Sequence, residues 1–377
     1  MIFCLKHFDT PLLTFTYNNV TKEQVCNIVS INTDYKHLLP IGLTLTDSGI
    51  FTWLQNRTLP ECRGHADALR AKMGQTHADT VEIIRLCKGL SLKDCYWIVE
   101  ENFTGLFADY NLYENAFENA LSLVAHTGFG NVKSNLRFFS SPEYTTNGMI
   151  RKAWRRINGK TVLYKSRTPG PSKTGNEPYS EFYAAQIANT MGLPHVFYDI
   201  AKWKGRPCSV CELFTSMKYS YVHIKDFVHD ARIFDVAEFM KTLGMDFYTD
   251  FVDMLVFDAI ICNEDRHYGN FGLLVDNEMN KPVSLAPIFD NGLSLFNKAT
   301  AEDLKSIEKY ATTLQSSYKI PFLELVQNYI TDSQKEKINM LKGFKFTLHK
   351  SYNLPVHRLK IIESFIQKRI VELLNLQ

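Results

Sequence analysis

The rhythm of apolar and polar positions changes twice along the chain. Up to about residue 140, short β-rich pieces alternate with helical ones. Residues 12–17 read as a strand, and residues 62–73, 80–87 and 112–124 read as helices. Residues 89–99 read as a turn feeding an apolar element. Near Ser141 the texture shifts. Two strand-like runs flank Asn158-Gly159, the strongest short-range hairpin signal, because a tight two-residue turn needs φ > 0 at both positions. Residues 168–178, rich in Pro, Gly and Ser, read as a loop. Ser180 is placed to cap a helix running from Glu181 to about Met191, which Gly192 ends. Residues 196–200 and 207–214 read as strands joined at Lys204-Gly205. Beyond Phe214 helices dominate. Residues 246–262 are apolar at helical spacing, with Phe247, Phe251, Met254, Leu255 and Ala259 on the pattern. They deliver the chain into residues 263–270. Residues 271–275 and 283–289 are two short strands, the second ending at Asp290-Asn291-Gly292, and residues 300–377 are largely helical.

This pattern predicts three segments: an N-terminal accessory domain over 1–140, a small β-rich lobe over 141–216 and a larger helical lobe over 217–377. No repeat of solenoid period interrupts it. The composition agrees with a folded α+β protein. The chain has 377 residues, 45% of them hydrophobic and 22% charged, which excludes a disordered chain. Lys and Arg number 42 against 40 Asp and Glu, so the net charge of +2 offers no broad footprint for nucleic acid. No run reaches the roughly 18 apolar residues that span a bilayer. Residues 247–262 come closest, and Asp250, Asp253 and Asp258 interrupt them. Lys6, His7 and Asp9 spoil the start of the chain as a secretory signal. Eight scattered cysteines fit reduced thiols, so a cytoplasmic protein is expected. Cys208 and Cys211 form a lone C-x-x-C with no second ligand pair; the simpler reading is two small side chains of a buried strand. Gly128-Phe129-Gly130 has no third glycine and reads as a loop. Gly170 and Gly175 carry Walker A spacing, but Asn176-Glu177 follows where Lys-Ser/Thr belongs.

The chemistry concentrates in Asp265-Arg266-His267-Tyr268-Gly269-Asn270, with Asp290 twenty positions beyond Asn270. Phosphoryl transfer from ATP needs few protein groups. A carboxylate orients the acceptor hydroxyl, an amide oxygen and a second carboxylate hold magnesium, and a lysine steadied by a glutamate reaches the phosphates. The sequence offers each in a workable order. Asp265 is the candidate catalytic carboxylate, and Asn270 and Asp290 are the candidate metal ligands, with Gly292 allowing the turn. Lys165 lies among apolar residues of a strand and must point its ammonium at something anionic. Glu181, sixteen residues on, can reach back as its ion-pair partner. The strand end Glu212-Leu213-Phe214 could offer its backbone to an adenine edge. Either aspartate alone is an ordinary turn residue; together, in this order with Lys165, they form a kinase set. His267 reads mainly as a residue ordering the loop, and as a candidate nucleotide contact. Arg266 reads as the partner of a nearby acid or of a phosphate-bearing segment. Arg151, Lys152, Arg155 and Arg156 are a solvated strand face or a contact for phosphates or an acidic partner.

Residues 141–341 resemble the HipA-like serine/threonine kinases, a bacterial branch of the kinase fold. The resemblance implies a two-lobed protein-kinase-like fold with ATP and Mg2+ as cofactors. It implies Asp265 as the catalytic-loop aspartate, Asn270 as the loop asparagine, Asp290 as the metal aspartate and Lys165 as the phosphate-binding lysine. Glu181 resembles the first acidic residue of the family's small-lobe helix. Residues 146–152 resemble the phosphate loop, with Gly148 and Lys152 matching, although one glycine stands where the family has several. The acceptor implied is a protein Ser or Thr hydroxyl. A toxin role with a small DNA-binding antitoxin partner is also implied. Thr145 and Thr146, beside that loop, are candidate autophosphorylation sites, where added charge would repel ATP. Asp-Arg-His-x-x-Asn also looks like the catalytic loop of phosphoinositide kinases, so a lipid acceptor stays open, as does an inactive kinase fold serving as a binding module.

Overall fold

The computed structural model describes residues 1–18, 25–59, 65–72, 80–116, 119–129, 141–146, 150–167 and 175–376. Along the chain run strands β1 (Ile2–His7), β2 (Thr10–Asn18) and β3 (Val25–Ile31), helices α1 (Asp47–Gln55), α2 (Ala66–Lys72) and α3 (Thr80–Cys87), strand β4 (Tyr96–Glu100) and helix α4 (Asn119–Thr127). A hairpin of β5 (Lys152–Ile157) and β6 (Lys160–Ser166) follows, then α5 (Glu177–Thr190), a second hairpin of β7 (Tyr198–Trp203) and β8 (Arg206–Glu212), and β9 (Tyr219–His223). Next come α6 (Ile233–Leu243), α7 (Met245–Ile261), β10 (Gly272–Asp276) and β11 (Lys281–Leu285). Five helices end the chain: α8 (Ala301–Lys305), α9 (Ile307–Ala311), α10 (Phe322–Gln327), α11 (Asp332–Asn339) and α12 (Val356–Leu374). None of the described helices is long and apolar enough to cross a membrane.

The chain forms two compact units. One comprises residues 1–165, 215–222 and 274–283; the other comprises 166–214, 223–273 and 284–377. In the first, β3, β2, β1 and β4 form an antiparallel sheet in that order. Alternation along β1 and β2 sends Phe3, Leu5, Leu13 and Phe15 into a core shared with Ile50 and Leu54 of α1 and Ile84 of α3. Arg57 is buried and paired with Asp94 through two hydrogen bonds, at 2.7 and 2.8 Å. The β5–β6 hairpin turns where the sequence places it, with Asn158 at φ 50° and Gly159 at φ 77°.

The second unit is organised around α7. From Phe251 to Ile261 every residue of this helix is buried, so it is a core helix rather than an amphipathic surface one. Tyr183, Ala184, Ile187 and Ala188 of α5 and Ile362, Phe365 and Ile366 of α12 belong to the same core. Cys262, left-handed at φ 50°, stops α7 and turns the chain into the following loop.

Three local readings differ from the structure. The helix expected from Glu181 begins at Glu177, because Pro178 takes the first turn, where its missing N–H costs nothing. Ser180 therefore caps nothing; its hydroxyl donates to the Ser294 carbonyl at 3.0 Å. The helix expected over 112–124 forms at Asn119–Thr127, while Asn111 holds a turn by accepting from the amides of Tyr113 and Glu114. The strand expected over 283–289 is Lys281–Leu285, after which only Ile288 bridges, to His195. Cys208 and Cys211 lie buried on β8, as the simpler reading has it.

His7, at the end of β1, is 3% exposed, with its ring 4.6 Å from that of Tyr96. Burial pushes its pKa down to about 4, against a smaller opposing pull from Asp94. The unfolded chain takes up this proton near 6.5 and the folded chain near 4, so stability falls as the pH drops through that window. Urea unfolding at pH 7 and pH 5 should show a loss of about 2 kcal/mol in the wild type beyond that in His7→Phe. Equal losses in both proteins would assign the acid sensitivity elsewhere.

Candidate active site

The site is best built outward from α7. Asp258 sits on this helix, 4% exposed, where an uncompensated charge would be costly. Its compensation arrives eight residues later. Arg266, 1% exposed, donates to the two Asp258 oxygens from Nε at 2.9 Å and Nη2 at 3.0 Å. Asn263 adds a third bond to Asp258 at 2.9 Å. Burial alone would lower the arginine pKa; the charge and hydrogen bonds of Asp258 outweigh it and hold the guanidinium above its ordinary value.

The remaining Arg266 donors reach across the chain. Nη1 bonds the carbonyls of Asn270 at 3.0 Å and Phe289 at 2.5 Å, and Nη2 bonds the Asn291 side-chain oxygen at 2.6 Å. One guanidinium therefore joins the loop carrying Asp265 and Asn270 to the turn carrying Asp290. Tyr318 supports it from behind, donating to the Arg266 carbonyl at 2.5 Å. Burial, then the nearby Asp258 charge, holds the Tyr318 pKa well above the ordinary tyrosine value, so it stays a donor.

Within the loop, the Asn270 side-chain nitrogen donates to the Asp265 carbonyl at 2.8 Å. That bond fixes the amide plane and leaves the opposite edge, the Oδ1 oxygen, as a ligand. His267 accepts from the Gly269 amide through Nδ1 at 3.0 Å, the ordering role read from sequence. A Cβ on Gly269 would stand 2.9 Å from that ring, so glycine lets the turn close. Asp290 is itself the left-handed residue of its turn, at φ 57°. Gly292, expected to supply that freedom, instead lies against α5: a Cβ there would be 3.4 Å from the Glu177 Cβ.

Asp265, Asn270 and Asp290 are thus gathered in one unit, with Asp265 and Asp290 half-buried and Asn270 buried. Glu181 is in the same unit, 1% exposed, and its carboxylate accepts from the Asn291 amide at 2.8 Å. Phe214, just past β8, packs its ring 5.5 Å from that of Phe289. Glu212 is exposed and Leu213 half-buried beside it. Lys165 and Lys152 face each other in the β5–β6 register of the other unit, with Lys165 6% exposed. Gly148 lies outside the described residues. Thr145 is buried with its hydroxyl on the Leu90 carbonyl, and Thr146 donates to the Pro142 carbonyl, so phosphorylating either requires opening a formed bond. Arg156 donates to the carbonyls of Leu112, Tyr113 and Asn115, which makes it part of the packing rather than a solvated basic face.

Asp258, Asn263, Asn291, Tyr198 and Tyr318 were not among the residues singled out for the site. Only Asp258 left a signal, as an acid inside the most apolar run. The donor set of the loop is one carboxylate and one amide oxygen, and the described residues hold no group of three or more His, Cys, Asp and Glu that could cage a metal. That set suits magnesium, which prefers oxygen and keeps several waters, and does not suit zinc.

Comparison with known proteins follows the same line. No family model matches the chain. Over 219 residues, 50% of its length, it is 26% identical to the serine/threonine-protein kinase CtkA of Helicobacter pylori, and the match spans 65% of that protein. The HipA toxin of Shewanella oneidensis, solved with HipB and operator DNA, superposes over 100% of both chains with a TM-score of 0.52 at 13% identity. The crystal structure of CtkA gives a TM-score of 0.46 over 60% of this chain and 92% of that one, at 18% identity. This chain has the HipA-like kinase fold.

Removing one partner of the Arg266–Asp258 pair strands the other charge in the core, which costs about 3–5 kcal/mol. Arg266→Met and Asp258→Leu should each lower the unfolding free energy, read from denaturant titration, by that amount. The double variant should be more stable than either single one. Additive losses in the double variant would show that the pair is not coupled.

Proposed function

We propose that this protein transfers the γ-phosphoryl group of ATP to a Ser or Thr hydroxyl of a protein. The observation that carries the reading is the Arg266 guanidinium, which bonds the carbonyls of Asn270 and Phe289 and the side chain of Asn291 at once. It ties the loop carrying Asp265 and Asn270 to the turn carrying Asp290, the three groups this reading assigns to phosphoryl transfer. The relationship to CtkA, named a serine/threonine-protein kinase, supports the choice of acceptor.

In this reading Asp265 orients the acceptor hydroxyl and takes its proton as the new oxygen–phosphorus bond forms and the bond to the β-phosphate oxygen breaks. Asn270 and Asp290 would hold magnesium, which when bound neutralises charge on the phosphates. Phe214, packed on Phe289, gives an apolar side chain for a purine ring beside the strand end. Lys165 keeps the phosphate-binding role that the family resemblance implies. The Shewanella HipA was solved with HipB and DNA; by the same resemblance we propose a small DNA-binding partner for this chain, which co-purification would detect.

Asp265→Asn and Asp290→Asn should each reduce transfer from labelled ATP to a protein acceptor by about 10²–10⁴-fold while far-UV circular dichroism stays at wild type. Transfer retained in both variants would sink the reading. Wild-type protein that shows no thermal shift with Mg2+ and ATP would favour an inactive kinase fold, and transfer to phosphoinositide vesicles in place of protein would favour the lipid-kinase reading.

A further inference from the structure

Asp290 can serve a cation only if its backbone holds a conformation that L residues adopt reluctantly, φ 57°. Fixing such a residue means fixing the peptide planes on both sides of its Cα. The preceding plane, between Phe289 and Asp290, is gripped at both ends. Its carbonyl accepts from Arg266 at 2.5 Å, and its N–H donates to the Tyr198 hydroxyl at 3.2 Å. The following plane, between Asp290 and Asn291, has its N–H on the Glu181 carboxylate at 2.8 Å. With both planes held, the direction of the Asp290 Cβ is set.

Two of these three grips already have reasons to exist: Arg266 neutralises Asp258, and Glu181 is a buried acid already expected at the site from the sequence. Tyr198 has no other assigned work at the site. It lies on β7, 8% exposed, paired in register with Cys211 of β8. We propose that Tyr198 is a positioning residue for the Asp290 carboxylate, acting through the peptide bond that precedes it. The inference rests on the phosphoryl-transfer reading, in which Asp290 holds the cation. Burial foremost, then the neighbouring Glu181, Cys211 and Asp290, pushes the phenol pKa well above its ordinary value. The hydroxyl therefore stays neutral over the working pH range, and the contact does not switch with pH. A phenylalanine would keep the ring packing and remove the hydroxyl that accepts from the Asp290 amide.

The test compares the full-length wild type with Tyr198→Phe by two measurements. Hydrogen exchange reads the amides of residues 289–292, and calorimetry reads the Mn2+ concentration that gives half-maximal ATP binding. Exchange in that segment should quicken about tenfold, and the Mn2+ requirement should rise about tenfold, while exchange along β7 and β8 stays as it was. Wild-type exchange at 289–292, or an unchanged Mn2+ requirement, overturns the proposal. Glu181→Gln, run in parallel, weakens the next amide's acceptor and should quicken exchange at 289–292; exchange there indistinguishable from wild type overturns the two-plane grip. A wild type that binds no ATP at any Mn2+ concentration overturns the kinase reading, and with it the metal role of Asp290. A wild type that binds it beside a Tyr198→Phe that binds it equally well overturns only the role of Tyr198.

Discussion

A guanidinium has five N–H donors in one plane, and in this protein Arg266 uses all five. Two go to Asp258, two to backbone carbonyls and one to Asn291. A buried charge is tolerated only on those terms, because every donor left over would add its own desolvation cost. The constraint runs in both directions. The core admits Arg266 because the carbonyls of Asn270 and Phe289 are there to receive it, and those carbonyls stay beside each other because the arginine is. A lysine could supply the charge but not the fork.

The stability of the second unit is thereby linked to the shape of its site. Asp258 is part of α7, whose last eleven residues are buried on every side. Displacing it means opening the larger of the two apolar cores formed by the described residues. The loop geometry inherits that rigidity through two links of two hydrogen bonds each, Asp258 to Arg266 and Arg266 to the Asp290 turn. The Asn270 amide, fixed by the Asp265 carbonyl, adds a local lock of the same kind. Sites held by groups that are themselves held need no reorganisation when charge develops, which is where most electrostatic catalysis comes from. A second brace comes from α12: Arg358 donates to the Phe296 and Ala299 carbonyls, steadying the segment beyond Asp290 where Leu295 and Phe296 are also left-handed.

Much of this was legible because it is local. Asn158-Gly159 and Lys204-Gly205 mark turns by their own conformational preferences, and both sit at φ > 0. Residues 246–262 announce a helix through periodicity, and the observed one shifts by a single position at each end. What failed was also local: Ser180 looked like a cap, but Pro178 offered an earlier start, and a serine hydroxyl serves equally well donating to a carbonyl 114 residues away. The long-range contacts left no such trace. Asp258 was visible as an acid in an apolar run, yet its partner is set by where Cys262 reverses the chain. Tyr198 is indistinguishable in sequence from any strand tyrosine, since its role depends on one amide hydrogen of Asp290. The candidate site could be proposed from sequence without its packing because phosphoryl transfer demands particular side chains in a particular order, while packing accepts many.

The twenty positions between Asn270 and Asp290 have a physical content that the motif alone does not convey. They are the β10–β11 hairpin, and its outer part, residues 274–283, is built into the other compact unit. Within that unit Asn280 donates to the carbonyls of His37 and Leu39 at 2.9 and 2.8 Å, and Asn277 donates to Met217 at 2.9 Å and accepts from Ser220. Asn277 is 3% exposed, so these bonds are made where water cannot substitute for them. The two metal-ligand candidates thus flank a hairpin whose outer part makes its polar contacts within the other unit. Each strand of the hairpin has only five residues. A change of register at the tip would move Asn270 against Asp290 by a residue's length, about 3.3 Å, more than a cation's coordination shell tolerates. The register of β10 against β11 therefore belongs to the same positional requirement as Arg266: one bears on the separation of the two candidates along the hairpin, and the other on their approach across it.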